Sequence, residues 1–98
     1  MAEHPGLVFK DGPSGRRAAL ALGPDVWEVV KASREVDERG EAAVLAVGEI
    51  LNLEEEQVRA ALRYYADHQD EIDAEIALAH EESAKAEKAW LAQQRLLA

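Results

Sequence analysis

The side chains in this 98-residue chain that could perform chemistry form no recognisable catalytic or metal-binding set. The chain has no cysteine, which excludes a thiolate nucleophile, a thiolate metal site and a disulfide framework. Its three histidines, His4, His68 and His80, are widely spaced and match no zinc-ligand pattern. We therefore predict that the protein is not an enzyme and that it holds no metal or other cofactor.

A crowded group of carboxylates is the nearest approach to a cation site. The group consists of Asp67, Asp70, Glu71, Asp73 and Glu75. Its spacing matches no calcium-binding loop, and no glycine stands at the sharp-turn position that such a loop needs. We interpret these carboxylates as the solvated face of a helix.

The net charge of −9 restricts the classes of partner. Residues 1–50 carry a net charge of −3 and residues 51–98 carry −6. Phosphate contact needs local positive charge, so an acidic chain is a poor general nucleic-acid binder. The acidic C-terminal half favours a basic protein partner. The charge could equally serve only to keep a helical protein in solution.

Local positive charge that could contact DNA occurs in two places. Lys10, Arg16 and Arg17 fall on a predicted β-ribbon, which can clamp DNA, although arginines on a solvated strand would look the same. The third predicted helix adds the exposed candidates Asn52, Gln57, Arg59 and Arg63. The run Glu54–Glu56 at its start would face phosphates, which argues against deep insertion into a groove.

The N-terminal part predicts a β-hairpin. Residues 1–6 are expected to be a frayed terminus. Two apolar stretches, Leu7–Lys10 and Arg16–Leu22, flank the turn-forming sequence Asp11–Gly15. The alanines of the second stretch also permit a helix.

Two helices are predicted to follow the hairpin. The first starts at Gly23–Asp25, with Pro24 in its first turn, and leaves through the charged stretch at residues 34–40. The second spans Glu41–Leu51 and has Gly48 on its apolar stripe, where a glycine would let another helix approach closely.

The third helix has the clearest pattern. Asn52 is its predicted N-cap, with Glu55 three residues later as in a capping box. An apolar stripe at helical spacing indicates the buried face: Val58, Ala61, Leu62 and Tyr65. We accordingly predict that Tyr65 lies in the core and that Tyr64 lies at an interface.

A fourth helix is predicted from about Asp70. Ile72 and Ile76 begin an apolar stripe that Ala79, Ser83 and Ala86 continue with small side chains. Large apolar residues then return near the end of the chain. The predicted partner-binding residues are Ile76, Trp90, Leu91, Leu96 and Leu97. We divide the chain into a domain at residues 1–76 and a partner-binding helical tail at residues 77–98.

These elements predict a mainly α fold: an N-terminal β-hairpin, a three-helix domain like a helix-turn-helix, and a long C-terminal helix. A generic small helical bundle has the same spacing. If the arrangement is a helix-turn-helix, the second helix crosses the DNA backbone and the third enters the groove. No run of apolar residues is long enough to span a membrane, and we expect a cytoplasmic protein.

Residues 7–76 resemble the bacterial domain-of-unknown-function family 433, which is similar to VapB-type antitoxins. The resemblance lies in GRRA at Gly15–Ala18, DVWEVV at Asp25–Val30 and VRAALRYYADH with a following EID at Val58–Asp73. It implies a hairpin that helps to form a homodimer, a helix-turn-helix-like domain, and a tail that wraps a toxin, usually a PIN-like ribonuclease.

The expected function is therefore the antitoxin of a type II toxin–antitoxin pair. Its C-terminal helix would neutralise the toxin, and its ribbon and third helix would regulate its own operon by binding operator DNA. The alternative is a stand-alone DNA-binding regulator whose tail serves dimerisation.

Overall fold

The computed structural model describes residues 4–12 and 15–98, and it has the predicted architecture: an antiparallel β-hairpin, three short helices and a long C-terminal helix. In this part of the chain no helix is both long and apolar enough to cross a membrane. The elements are β1 (Leu7–Gly12), β2 (Gly15–Leu20), α1 (Val26–Glu35), α2 (Glu41–Leu51), α3 (Glu55–Asp67) and α4 (Gln69–Leu97).

The hairpin places one face on the helices. Leu7 pairs with Leu20 and Phe9 with Ala18, so these side chains share the face that meets the core. Two residues of the predicted turn, at positions 13 and 14, lie outside the described residues. The prediction that β2 continues to Leu22 was wrong. Leu22 has a left-handed backbone, with a φ of 57°, and its side chain is fully exposed.

Helix α1 begins after a capping box in which Asp25 is the N-cap and Glu28 reaches back to the Asp25 N–H at 3.0 Å. Pro24 therefore precedes the cap and is not in the first turn, where we had placed it. Val26 and Val29 are fully buried, which anchors the first turns of α1 in the core.

The bounds predicted for α2 are confirmed, but the joint after it differs. Asn52 adopts the left-handed conformation that ends α2, which asparagine tolerates well, so it is not the N-cap of α3. Glu54 is that N-cap, in a capping box with Gln57. A Cβ atom on Gly48 would lie 2.8 Å from the carbonyl oxygen of Leu53. The close neighbour of this glycine is thus the α2–α3 connection and not another helix.

The buried face of α3 is rotated from the predicted one. Tyr64 is 2% exposed and belongs to the core, whereas Tyr65 and Leu62 are only half-buried. The rings of Phe9 and Tyr64 meet edge to face with centroids 6.3 Å apart, so the hairpin covers Tyr64. Our assignment of Tyr65 to the core and Tyr64 to an interface was therefore wrong.

Helix α4 starts inside the folded body and then leaves it. Ile72 and Ile76 are 0% and 5% exposed, and both pack in the core with α1 and α3. From residue 81 to residue 98 every side chain is exposed. We call residues 81–98 the exposed tail. Its 18 residues extend for about 27 Å at the rise of an α-helix.

Candidate functional site: the exposed tail and the surrounding polar groups

The exposed tail carries most of the predicted partner-binding residues. Trp90 is 57% exposed and Leu97 is 79% exposed, and both are large apolar side chains in contact with water. Leu91 and Leu96 are also exposed. Ile76 is the exception, because its side chain is buried in the core. Its assignment to the partner-binding surface is corrected accordingly.

One face of α4 follows a heptad pattern. Its positions succeed each other at alternating spacings of four and three residues from Ile72 to Leu97. The part of this face beyond the core, which we call the tail stripe, consists of Ala79, Ser83, Ala86, Trp90, Gln93 and Leu97. Leu91 and Leu96 flank the tail stripe on either side. This face thus starts in the core at Ile76, continues with small side chains and ends in solvent, where Trp90 and Leu97 are its large apolar residues.

A groove lies beside the start of the tail stripe. It has a volume of about 650 Å³ and runs between α1, the end of α2 and α4. Its apolar lining includes Trp27, Ile50 and Leu51, and Ala79 and Ser83 of the tail stripe also border it. Ile50 is 63% exposed, so an apolar side chain of another molecule could reach this groove.

The charges of the chain are divided between body and tail. Residues 1–80 contain 17 acidic and 8 basic side chains, a net charge of −9. The exposed tail contains three of each and is neutral overall. The acidity of the C-terminal half therefore lies before the tail, and the charge expected to favour a basic partner belongs to the folded body.

The cations of the predicted ribbon mostly face Asp25. The Arg17 Nε donates to Asp25 Oδ2 at 2.6 Å, and Lys10 Nζ lies 3.9 Å from Oδ1. Lys10 also donates to the carbonyl oxygen of Gly23 at 3.1 Å. Arg16 is different, because its guanidinium stacks on the Phe9 ring, 3.8 Å from the centroid, and remains exposed. Among the described cations of the ribbon, Arg16 is therefore the one that is exposed and has no carboxylate partner.

The predicted DNA-contacting residues of α3 also have partners within the chain. Arg59 bonds Glu41 and Glu55, and the Arg59 guanidinium lowers the pKa of the Glu41 carboxyl. Arg63 donates to Glu56 at 2.8 Å, and the Gln57 side chain accepts from the N–H of Glu54. This face of α3 is a network of paired charges, which reduces its ability to attract phosphate.

Sequence reasoning missed a polar layer where α4 leaves α3. The Tyr64 hydroxyl donates to Glu71 at 2.8 Å, and burial of the ring, together with this bond, raises the Tyr64 pKa. On the outer side, Arg34 donates to Asp73 at 2.5 Å, and this bond lowers the Asp73 pKa. The carboxylates at alternate positions from residue 71 were visible in the sequence, but their partners come from α1 and α3.

The N-terminal segment belongs to the same layer. His4 is 7% exposed, and its ring meets Tyr64 and His68 edge to face. His4 Nε2 lies 3.2 Å from an Asp67 oxygen, within ion-pair distance but without hydrogen-bond geometry. The expectation of a frayed terminus up to residue 6 is therefore wrong at His4.

Glu75 is the most perturbed acid of the layer. Burial, and then the charges of Glu71 and Asp25, raise the pKa of Glu75 to about 7. Its Oε1 atom is buried without a hydrogen-bond partner. Nevertheless, across residues 4–12 and 15–98 no three His, Asp or Glu side chains are grouped so that they could hold a metal ion.

Comparison of the chain with protein-family models, with curated proteins and with solved structures found no significant match.

Proposed function

We propose that this chain is the antitoxin of a type II toxin–antitoxin pair and that it binds its toxin, a PIN-like ribonuclease, through the exposed tail. The observation that carries the proposal is the tail itself: 17 helical residues, 81–97, with every side chain exposed and with Trp90 and Leu97 on one face. An amphipathic helix of this kind typically lies in an apolar groove of another protein. The resemblance of residues 7–76 to VapB-type antitoxins supports the choice of partner.

The charge distribution refines how the toxin is bound. Because the exposed tail is neutral, its contact with the toxin is apolar and is centred on Trp90, a residue type enriched at interface hot spots. The body carries the net charge of −9 and speeds the approach of a basic nuclease. Tail and body thus have separate roles in affinity and association rate.

Operator binding has less support. Among the residues predicted to contact DNA, Arg16 is the cation that stacks on an aromatic ring and has no carboxylate partner among the described residues. We propose that autoregulation, if the chain performs it, uses the hairpin around Arg16 and not the paired face of α3. A mobility-shift assay on the chain's own promoter would show weaker binding for Arg16→Ala than for the exposed-loop control Arg39→Ala. Equal binding of the two variants would remove the hairpin from this role.

The main proposal is tested by co-expression with the product of the adjacent gene. We expect the wild-type chain to restore growth and to co-purify with the toxin. A Trp90→Ala/Leu97→Ala variant should lose both effects. Ala92→Ser, on the opposite face of the tail, is the matched control and should behave like the wild type. The proposal is wrong if the adjacent product is not toxic or if it binds the double variant as tightly as the wild type.

A further inference from the structure

We infer that, in the absence of another partner, the tail stripe is covered by the tail of a second copy of this chain, with the two helices antiparallel. The inference does not depend on the identity of a toxin. It starts from the heptad spacing of α4, because alternate steps of three and four residues are the pattern by which two helices pack along their whole length. This face is buried at Ile72 and Ile76 and half-buried at Ala79, and from residue 81 onward none of the described residues covers it.

The sizes of the side chains fix the register. The residues of the stripe occupy the heptad positions a and d in turn. In an antiparallel pair, each a position faces a d position of the partner helix. In the part of the stripe beyond Ile76, which the body of the same chain does not bury, one register avoids placing large residues against each other: Trp90 faces Ala79 of the second copy, and Ser83 faces its Ala86. By symmetry each contact occurs twice, around a two-fold axis between residues 84 and 85. The small residues allow the helices to approach closely, and the large one fills the space beside Ala79.

That space is already formed in the folded body. Ala79 borders the groove of about 650 Å³ that Trp27, Ile50 and Leu51 line. In the antiparallel register the indole of Trp90 enters this groove. A tryptophan side chain buries about 150–250 Å² when it is fully covered, and the symmetric pair buries two of them. Ile50, whose side chain is 63% exposed in the single chain, would be covered by the same contact.

The charges distinguish the antiparallel arrangement from the parallel one. Residues 85–98 contain Lys85, Lys88 and Arg95 but only one acid, Glu87, a net charge of +2. Residues 71–84 contain five acids and neither lysine nor arginine. The proposed register sets the first stretch of each chain opposite the second stretch of the other, so that opposite charges meet. A parallel pair would set the two acidic stretches side by side, which is unfavourable.

The occupant is therefore a second copy. A stretch that complements residues 71–84 in charge is present in the same chain, at residues 85–98, and its Trp90 complements Ala79 in side-chain size. A hairpin-mediated dimer would leave the tail stripe uncovered and is a separate outcome of the test. Binding of a toxin to the tail would displace the second copy, because both would use Trp90.

The first measurement is sedimentation equilibrium of the full chain alone, over a range of concentrations. We expect a dimer whose dissociation constant rises at least about ten-fold in Trp90→Glu, as for a buried hot-spot residue. Ala92→Glu adds the same charge on the opposite face of the tail and should leave the dissociation constant unchanged. Circular dichroism of each variant checks that the helices of the body are retained. A monomer at the highest attainable concentration, or a dimer that Trp90→Glu does not weaken, overturns the inference.

The second measurement reads the register directly. The chain has no native cysteine, so single Ser83→Cys and Ala86→Cys variants can be mixed and oxidised without competing thiols. An antiparallel pair brings position 83 next to position 86 of the other chain, within the separation that a disulfide can bridge. With a size tag on one variant, the cross-linked product should be the mixed species. Cross-linking of Ser83→Cys chains mainly to each other would show a parallel pair and overturn the proposed register.

The outcomes separate this inference from the proposed function. Both measurements use the chain alone, whereas the toxin assay uses the complex. A monomeric chain that still neutralises the toxin would leave the proposed function intact and overturn the inference. A tail-dependent dimer that fails to bind the toxin would support the inference and contradict the proposed function.

Discussion

Arg17 donates its Nε–H to the Asp25 carboxylate at 2.6 Å, and this contact joins the second strand of the hairpin to the residue that caps α1. The Asp25 side chain is only 12% exposed and also accepts from the Trp27 indole at 3.2 Å. The Asp25 carboxylate thus links β2, the first turn of α1 and the Trp27 ring. Arg17, which we predicted to contact DNA, therefore stabilises the fold through Asp25.

We expect Asp25→Ala to lower the free energy of unfolding by about 2–3 kcal/mol, because it removes a helix cap and leaves the Arg17 charge half-buried without its partner. Urea denaturation followed by circular dichroism measures this change. Asp37→Ala, at an exposed position in the α1–α2 connection, is the control and should change the free energy by less than about 0.5 kcal/mol. Equal effects of the two substitutions would contradict the structural role of Asp25.

Glu75 makes the stability of the protein depend on pH. Its pKa in the folded chain is about 7, above the ordinary value of 4.5, so the folded state binds the proton more tightly than the unfolded state does. This contribution to stability is fully present below about pH 4.5 and is lost as the pH rises through 7.

The Glu75→Gln variant should therefore be more stable than the wild type at pH 8, and this gain should disappear at pH 5. The measurement is the midpoint of urea denaturation for both proteins at the two pH values. Glu87→Gln, on the exposed tail, is the control and should show no such pH-dependent difference. The same shift of the midpoint at both pH values would show that protonation of Glu75 is not the cause.

The adjacent tyrosines should respond differently to truncation. Tyr64→Ala removes a ring that is 2% exposed and should cost about 3–5 kcal/mol of unfolding free energy, or prevent folding of so small a chain. Tyr64→Phe keeps the ring and removes only the bond to Glu71, at a cost of about 1 kcal/mol. Tyr65→Ala is the matched comparison, and a larger loss there than at Tyr64 would mean that α3 is rotated from the orientation described.

Gly48 should resist replacement although alanine favours helices. A Cβ atom there would lie 2.8 Å from the Leu53 carbonyl oxygen, so the α2–α3 connection would have to move. We expect Gly48→Ala to lower the melting temperature, whereas relief of the propensity cost alone would stabilise the helix by about 1 kcal/mol. Thermal denaturation shows whether Gly48→Ala lowers or raises the melting temperature. A higher melting temperature would show that the α2–α3 connection adjusts freely.

Periodicity and turn chemistry were sufficient to predict the hairpin, the bounds of α2 and the presence of a long C-terminal helix. They were not sufficient to orient α3, because Tyr64 and Tyr65 both continue a spacing of three or four residues from Val58 and Ala61. The covering hairpin, with Phe9 against Tyr64, selects between them, and this contact is distant in sequence. The error at Asn52 has a similar origin, since asparagine suits both the start of a helix and the left-handed residue that ends one.

The candidate site was likewise predictable only in part from the sequence. The exposed tail was predictable because a long apolar stripe on a short chain has nothing to cover it. The pairing of Arg17, Arg59 and Arg63 with carboxylates was not, because local spacing does not tell which acid on another element a long side chain will reach. A count of basic residues therefore overestimated the charge available to DNA.

Because α4 is one continuous helix, the orientation of Trp90 depends on how that helix is rotated about its own axis. Because no joint separates Ile76 from Trp90, the direction in which the indole points is set by the way the core holds Ile72 and Ile76. Inserting one alanine after Ser83 would turn Trp90 by about 100° without touching the body, and inserting seven would return it to the same azimuth about 10 Å farther out. The packing of the body thus sets the direction of Trp90, and in the proposed toxin complex an insertion or deletion in α4 would change partner specificity as a substitution does.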